Sequence, residues 1–266
     1  MRARGANNPS VGGAINDVLV LCYHAVAPDW TAALSVTPEA LRAQLTTLVR
    51  AGWRGATFSG AVTGAPWPRT LAVTFDDAFA SVLDRAYPIL AELDLPGTVF
   101  APTAFISGDR GRLEWPGIEM WTATESDSEL VSMSWDELRF LTDQGWEIGS
   151  HTRTHPRLTE LDDETLRKEL EASRRECSAG LGAPCEALAY PYGAVDARVA
   201  EAAAAAGYSA AAALSSSLRR NGPHRWPRVG IYHDDHMLRF RLKIDRTVRR
   251  IRATRMWPPA QSFSRV

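Results

Sequence analysis

The stretch 71-LAVTFDDAFASVLDRAYPIL-90 drives an apolar run into two adjacent aspartates, Asp76 and Asp77, and then continues with helical spacing. A short apolar run followed at once by a helix is the βα unit of a parallel sheet. Six more such runs follow the same plan: DVLVLCYH (17–24), GTVFAP (97–102), WEIGSH (146–151), CEALAYPYG (185–193), YSAAAALS (208–215) and WPRVGIY (226–232). Amphipathic segments separate many of them. In 37–52, Thr37 is placed as an N-cap, Pro38 at the first helical position and Gly52 as the stop, with Leu41, Leu45 and Leu48 on one face. Ser134 and Glu137 form a capping-box pattern, and 162–180 is long, charged and periodic. The expected fold is α/β, a distorted or incomplete (β/α) barrel of about seven parallel strands with surrounding helices. An open dinucleotide fold fits less well, because no G-x-G-x-x-G follows the first strand.

At 266 residues and 45% hydrophobic content the chain can bury one large core. Thirty basic residues against 31 acidic ones leave a net charge of −1, which gives no overall signal for nucleic acid. The charge is unevenly placed. From Arg219 to Arg255 there are 12 basic residues against Asp234, Asp235 and Asp245. The stretch from Arg239 to Arg255 reads first as a solvated helix face and second as a surface for an acidic or phosphate-bearing partner. Cys22, Cys177 and Cys185 are too few and too scattered for a disulfide framework or a thiolate zinc site, so reduced thiols are expected. No run of about 18 apolar residues suggests a transmembrane segment. The N-terminal residues lack the apolar core of a secretory signal, and a cytoplasmic location is the default expectation. The organisation read from the chain is a flexible leader (1–16), a catalytic domain (17–235), and a basic C-terminal helix and tail (236–266).

In parallel-strand barrels the functional side chains gather where strands end. Here His24, the Asp76–Asp77 pair, His151 and the YPYG of 190–193 stand at such ends. His151 and His155 are four residues apart, so a helical turn or a tight loop can bring both imidazoles onto one cation. Asp76 or Asp77 can add a carboxylate, and two histidines with one carboxylate leave coordination positions open for hydrolytic chemistry. Two neighbouring carboxylates repel unless a cation or proton separates their roles. One can be a ligand and the other a base. Because adjacent strand residues point to opposite faces, the chain must turn at or just before Asp77 to aim both inward.

TFDD, SHTRTHP and YPYG, in that order, resemble the motifs of the polysaccharide deacetylase family, the NodB-like carbohydrate esterases of family four. The resemblance spans roughly residues 17 to 235. It implies Asp76 as catalytic base, and Asp77, His151 and His155 as ligands of one divalent metal, zinc first, with cobalt, nickel or manganese as alternatives. LCYHAV (21–26) resembles the circularly permuted branch of poly-N-acetylglucosamine deacetylases, in which an N-terminal histidine is the general acid. His24 takes that position. His233 and His236 in IYHDDH are rival acids, since unpermuted members carry theirs late in the chain. The family's third motif usually opens with an arginine that pairs with the catalytic aspartate. Ala189 stands there instead, and Arg228 is the candidate replacement. Tyr190, Pro191, Tyr192 and Trp226 are the expected substrate-binding residues, with the Tyr192 backbone N–H as oxyanion donor.

The implied activity is removal of acetyl from an N-acetylated amino sugar in a glycan or glycoconjugate. Two other readings stand beside it: an amidohydrolase acting on a non-sugar amide or cyclic imide, and a catalytically silent carbohydrate-binding protein. An open groove with aromatic walls favours the glycan, and a small closed pocket favours the small amide. A non-haem iron oxygenase would also use two histidines and a carboxylate, but leaves the second aspartate unexplained.

Overall fold

The computed structural model describes residues 16–257. Seven parallel strands form a barrel: β1 (Asp17–Tyr23), β2 (Arg69–Phe75), β3 (Gly97–Ala101), β4 (Glu147–Ser150), β5 (Ala187–Ala189), β6 (Ala210–Leu214) and β7 (Trp226–Gly230). Pairing runs from β1 through β7, β6, β5, β4 and β3 to β2, and β2 returns to β1 over seven register pairs, Asp17↔Arg69 to Tyr23↔Phe75. The ring is therefore closed and uneven. Its thinnest joint is β4–β5, where Ser150↔Leu188 is the register pair. A two-residue strand, Arg54–Gly55, pairs with Thr70 and Leu71 on the edge of β2 that β3 occupies only from Val73 onward.

Alternation along the strands divides the core into two layers. Val18 and Val20 of β1 join Ala72, Phe100, Ala187, Ala189, Ala210 and Ala212, whereas Leu19, Leu21 and Tyr23 join Leu41, Leu45 and the other helix residues. The first set is the barrel interior. It is built from small side chains because seven strands enclose little space. Helix α1 (Pro38–Arg50) has Thr37 as its cap, accepting from the Ala40 N–H, and Gly52 follows with φ +83°. α2 (Phe58–Thr63) plugs the strand-start end: Phe58 and Ala61 belong to the interior set, and Phe58 meets Phe100 edge-on.

Before α3 (Tyr87–Glu92) comes a wide π turn, Val82–Ala86. Pro88 accounts for it, since proline has no N–H and its ring crowds the preceding turn. α4 (Trp135–Asp143) carries the capping box of Ser134 and Glu137, α5 (Asp163–Leu181) the long charged helix, and α6 (Ala197–Ala205) the alanine-rich one. α7 (Met237–Ile244) and α8 (Arg246–Arg252) follow the barrel. No helix among the described residues is long and apolar enough to cross a membrane. The three cysteines are free and buried. The expected leader, apart from Asn16, and the last nine residues of the expected tail lie outside the described residues.

Candidate metal centre and cleft

The strand ends meet in one buried cluster. Asp76 continues the ladder of β2, its N–H donating to Tyr23 O at 3.0 Å, and Asp77 then turns into the left-handed region with φ +72°. That reversal aims both carboxylates at the barrel mouth. His151 likewise continues β4, its N–H donating to Ala101 O at 2.8 Å. The segment to His155 is a tight loop rather than a helical turn, with Thr152 at φ +66° and His155 at φ +60°. Left-handed backbone at non-glycine residues costs on the order of 1 kcal/mol or more apiece, and strain of this kind persists where packing imposes it.

Asp77, His151 and His155 bring their ligand atoms together. Asp77 Oδ1 lies 3.4 Å from His151 Nε2 and 3.3 Å from His155 Nε2. The outer hydrogen bonds decide the tautomers. His151 Nδ1 donates to Ala189 O at 2.9 Å. The Tyr192 hydroxyl donates to Pro116 O at 3.0 Å and so accepts from His155 Nδ1 at 3.3 Å. Both Nε2 lone pairs therefore face Asp77 Oδ1, a buried oxygen with no hydrogen-bond partner. Burial lowers the pKa of both rings, that of His155 to about 3, so they stay neutral. Three acceptors converging without a donor fit a divalent cation. Their spacing suits metal bonds of about 2.0–2.2 Å in a tetrahedral set.

Asp76 is held differently. Arg228 Nη1 and Nη2 donate to its two oxygens at 2.6 and 2.8 Å, and Nη1 also donates to Thr74 Oγ1 at 3.0 Å. Burial works to raise the Asp76 pKa, but Arg228, with His151 and His24, overrides it and keeps the carboxyl well below the usual carboxylate range. Asp77 lacks such a partner, and burial raises its pKa. His24 ends β1 and lines the same cleft; burial lowers its pKa against the pull of both aspartates. His233 and His236 are exposed, beyond β7.

The cleft above the cluster is narrow, about 30 Å³, and is walled by Leu34, Trp115, Ile118, Tyr192 and Leu214. Trp115 lies 4.4 Å from the His155 ring, so the long irregular stretch of 103–133 forms one wall. Gly193 is needed in the turn after Tyr192: with φ +65°, a Cβ there would run into the Leu214 carbonyl.

Three of the side chains expected at the substrate sit elsewhere. Tyr190 faces outward, the opposite side from Ala189, and its hydroxyl donates to His224 O at 2.7 Å. Pro191 is buried behind the turn. Trp226 points inward but at the start of β7, at the far mouth of the barrel, because a strand's first residue lies at the end opposite its functional one. Of the four, Tyr192 alone lines the cleft. Trp115 lies in the irregular stretch 103–133, whose length and glycines mark it in the sequence as a cleft wall or lid, whereas Ile118 and Leu214 were not singled out. Leu214 could have been found, since it continues the inward alternation of Ala210 and Ala212.

A family model for polysaccharide deacetylase matches residues 63–211, more than half of the chain. That span holds both aspartates, His151, His155 and Tyr192, and excludes His24 and Arg228. Among solved structures, the deacetylase PplD of Streptococcus pyogenes, in complex with acetate, superposes with a TM-score of 0.70 at 20% identity, over 86% of this chain and 98% of that one. A de-N-acetylase from Aggregatibacter actinomycetemcomitans gives 0.70 at 17%, over 85% and 99%. IcaB from Ammonifex degensii gives 0.63 at 24%, over 83% and 94%. At these identities the likeness is one of fold. No curated protein matches the chain by sequence.

Proposed function

Because the chain belongs to the polysaccharide deacetylase family, we propose that it is a metal-dependent hydrolase removing acetyl from an N-acetylated amino sugar. The observation that carries this reading is the convergence of Asp77, His151 and His155 beside a second, arginine-held carboxylate. A divalent ion there, zinc by its donor set, would polarise the acetamide carbonyl and make a neighbouring water more acidic. Asp77, His151 and His155 would hold it.

Asp76 is the proposed base. Arg228 keeps it ionised and fixes the plane of its carboxylate, so it is a weak base that needs an already acidified water. The oxyanion of the tetrahedral intermediate would form near the left-handed turn at Tyr192, whose backbone N–H is the proposed donor. The departing amine needs a proton, because an alkyl amide anion is a very poor leaving group. His24 is the proposed donor: it lines the cleft beside both aspartates and occupies the position that LCYHAV suggests. A cytoplasmic site of action remains part of the proposal.

The narrow cleft, closed in by Leu34, Trp115, Ile118 and Tyr192 rather than open as a groove, favours a second reading, hydrolysis of a small non-sugar amide or cyclic imide. Catalysis over mere binding is supported by Arg228, which supplies Asp76 with the partner that Ala189 does not. Acetate release from a panel of N-acetylated monosaccharides, oligosaccharides and small N-acyl amides, with zinc-loaded protein, tests the proposal. Turnover of N-acetylated sugars is expected; turnover confined to non-sugar amides would replace it by the second reading.

A further inference from the structure

At the strand-start mouth of the barrel, opposite the cleft, a cavity of about 210 Å³ is lined by Asp17, Trp226, Arg220, Arg246, Arg249 and Arg250. Seven residues of β1 separate this mouth from His24, about 20 Å of strand. Asp17 accepts from both Arg249 nitrogens at 3.0 and 2.8 Å, and Arg246 stands 3.9 Å from the same carboxylate. One carboxylate thus faces three guanidinium groups, and Arg250 adds a fourth to the cavity lining. Arg220 lies over the Trp226 ring at 4.4 Å, which holds its charge at the cavity wall.

A concave surface with a surplus of one sign concentrates its field on a ligand of the other. Planar guanidinium forks match phosphate oxygens particularly well. The cavity has room for several waters at about 30 Å³ each, hence for a phosphoryl or pyrophosphoryl group. We propose that this mouth binds a phosphate- or pyrophosphate-bearing ligand, with Arg220, Arg246 and Arg250 contacting the anion and Trp226 forming the wall for the rest of the ligand. The site is independent of the catalytic reading. It gives the basic stretch after β7 a role that a solvated helix face does not need.

Calorimetric titration of the full, metal-free chain with pyrophosphate tests the proposal, at ionic strength held constant with chloride. Metal-free protein keeps the anion from the cleft centre. A parallel arm measures binding to phosphatidylglycerol vesicles against neutral vesicles, which distinguishes a free phosphate from a lipid headgroup. Saturable binding of at least one probe is expected, weakened at least tenfold in Arg220→Gln/Arg250→Gln and unchanged in Arg175→Gln, a distant exposed arginine. Should the double variant fail to fold, Arg250→Gln alone, at an exposed position, reads the same contact. Absence of saturable binding to either probe, or binding that the Arg220 and Arg250 substitutions leave intact, overturns the proposal.

Discussion

Arg228 and Asp76 meet across β1, joined by two near-parallel hydrogen bonds of 2.6 and 2.8 Å in the barrel interior. Arg228 comes from β7 and Asp76 from the end of β2, the two neighbours of β1. The guanidinium is fully buried, so the pair cannot be replaced by solvent. Removing one partner of a buried pair strands the other charge, at a cost of about 3–5 kcal/mol. Arg228→Met should therefore lower the melting temperature by roughly 10 °C and abolish turnover. Adding Asp76→Asn should recover much of the stability and none of the activity. Equal stability of Arg228→Met and wild type would show the pair to be dispensable.

The two aspartates should separate by readout. Asp76→Asn is expected to retain metal while turnover falls about 10²–10⁴-fold, the usual loss of a general base. Asp77→Asn should lose both. Metal content by mass spectrometry after dialysis, alongside acetate release, checks this; loss of metal from Asp76→Asn with retention in Asp77→Asn would reverse the assignment.

The proposed acid has a leaving-group signature. Without it an alkyl amine must leave as an anion, whereas a phenolate leaves unaided. His24→Ala should lose about 10²-fold or more on an N-acetyl sugar and far less on an aryl acetate. The same selective loss in His233→Ala, with none in His24→Ala, would move the acid to the exposed segment after β7.

Seven strands, the capped helices and the cluster of strand-end polar residues were legible because period-two and period-three-to-four patterns survive in single segments. Arg228 was legible through the family resemblance: the arginine that usually pairs with the catalytic aspartate is replaced by Ala189, and the structure supplies the partner from Arg228. Trp226 misled because an aromatic two residues from Arg228 shares its inward face but stands at the other end of the strand. Tyr190 misled because YPYG reads as one motif, while its residues point to different sides. The two-residue strands and α2 were not foreseen. They are too short for a periodic signal. The length of 103–133 marks a cleft wall, but the seating of Trp115 against His155 depends on long-range packing.

Glu147, at the start of β4, offers a test of the barrel's other end. It accepts from the Ser59 N–H at 2.9 Å and from the Ser59 hydroxyl, yet burial outweighs these bonds and raises its pKa. A carboxyl whose folded pKa lies above its unfolded one contributes stability below the unfolded pKa and loses it as pH rises through the folded value. Glu147→Gln should therefore gain on wild type as pH rises from the ordinary carboxylate range toward 7. Melting curves at pH 4 and pH 7 measure it, and a gain that is larger at pH 4 would contradict this account.

The central claim is that one cation held by Asp77, His151 and His155 is required for removal of acetyl from an amino sugar. Its most direct test is zinc titration of metal-free protein while acetate release from an N-acetylglucosamine oligomer is followed. Activity should rise in proportion to zinc, break at one equivalent per chain, and stay at background in His155→Ala. Full acetate release by metal-free protein, or a zinc response that His155→Ala leaves unchanged, would contradict it.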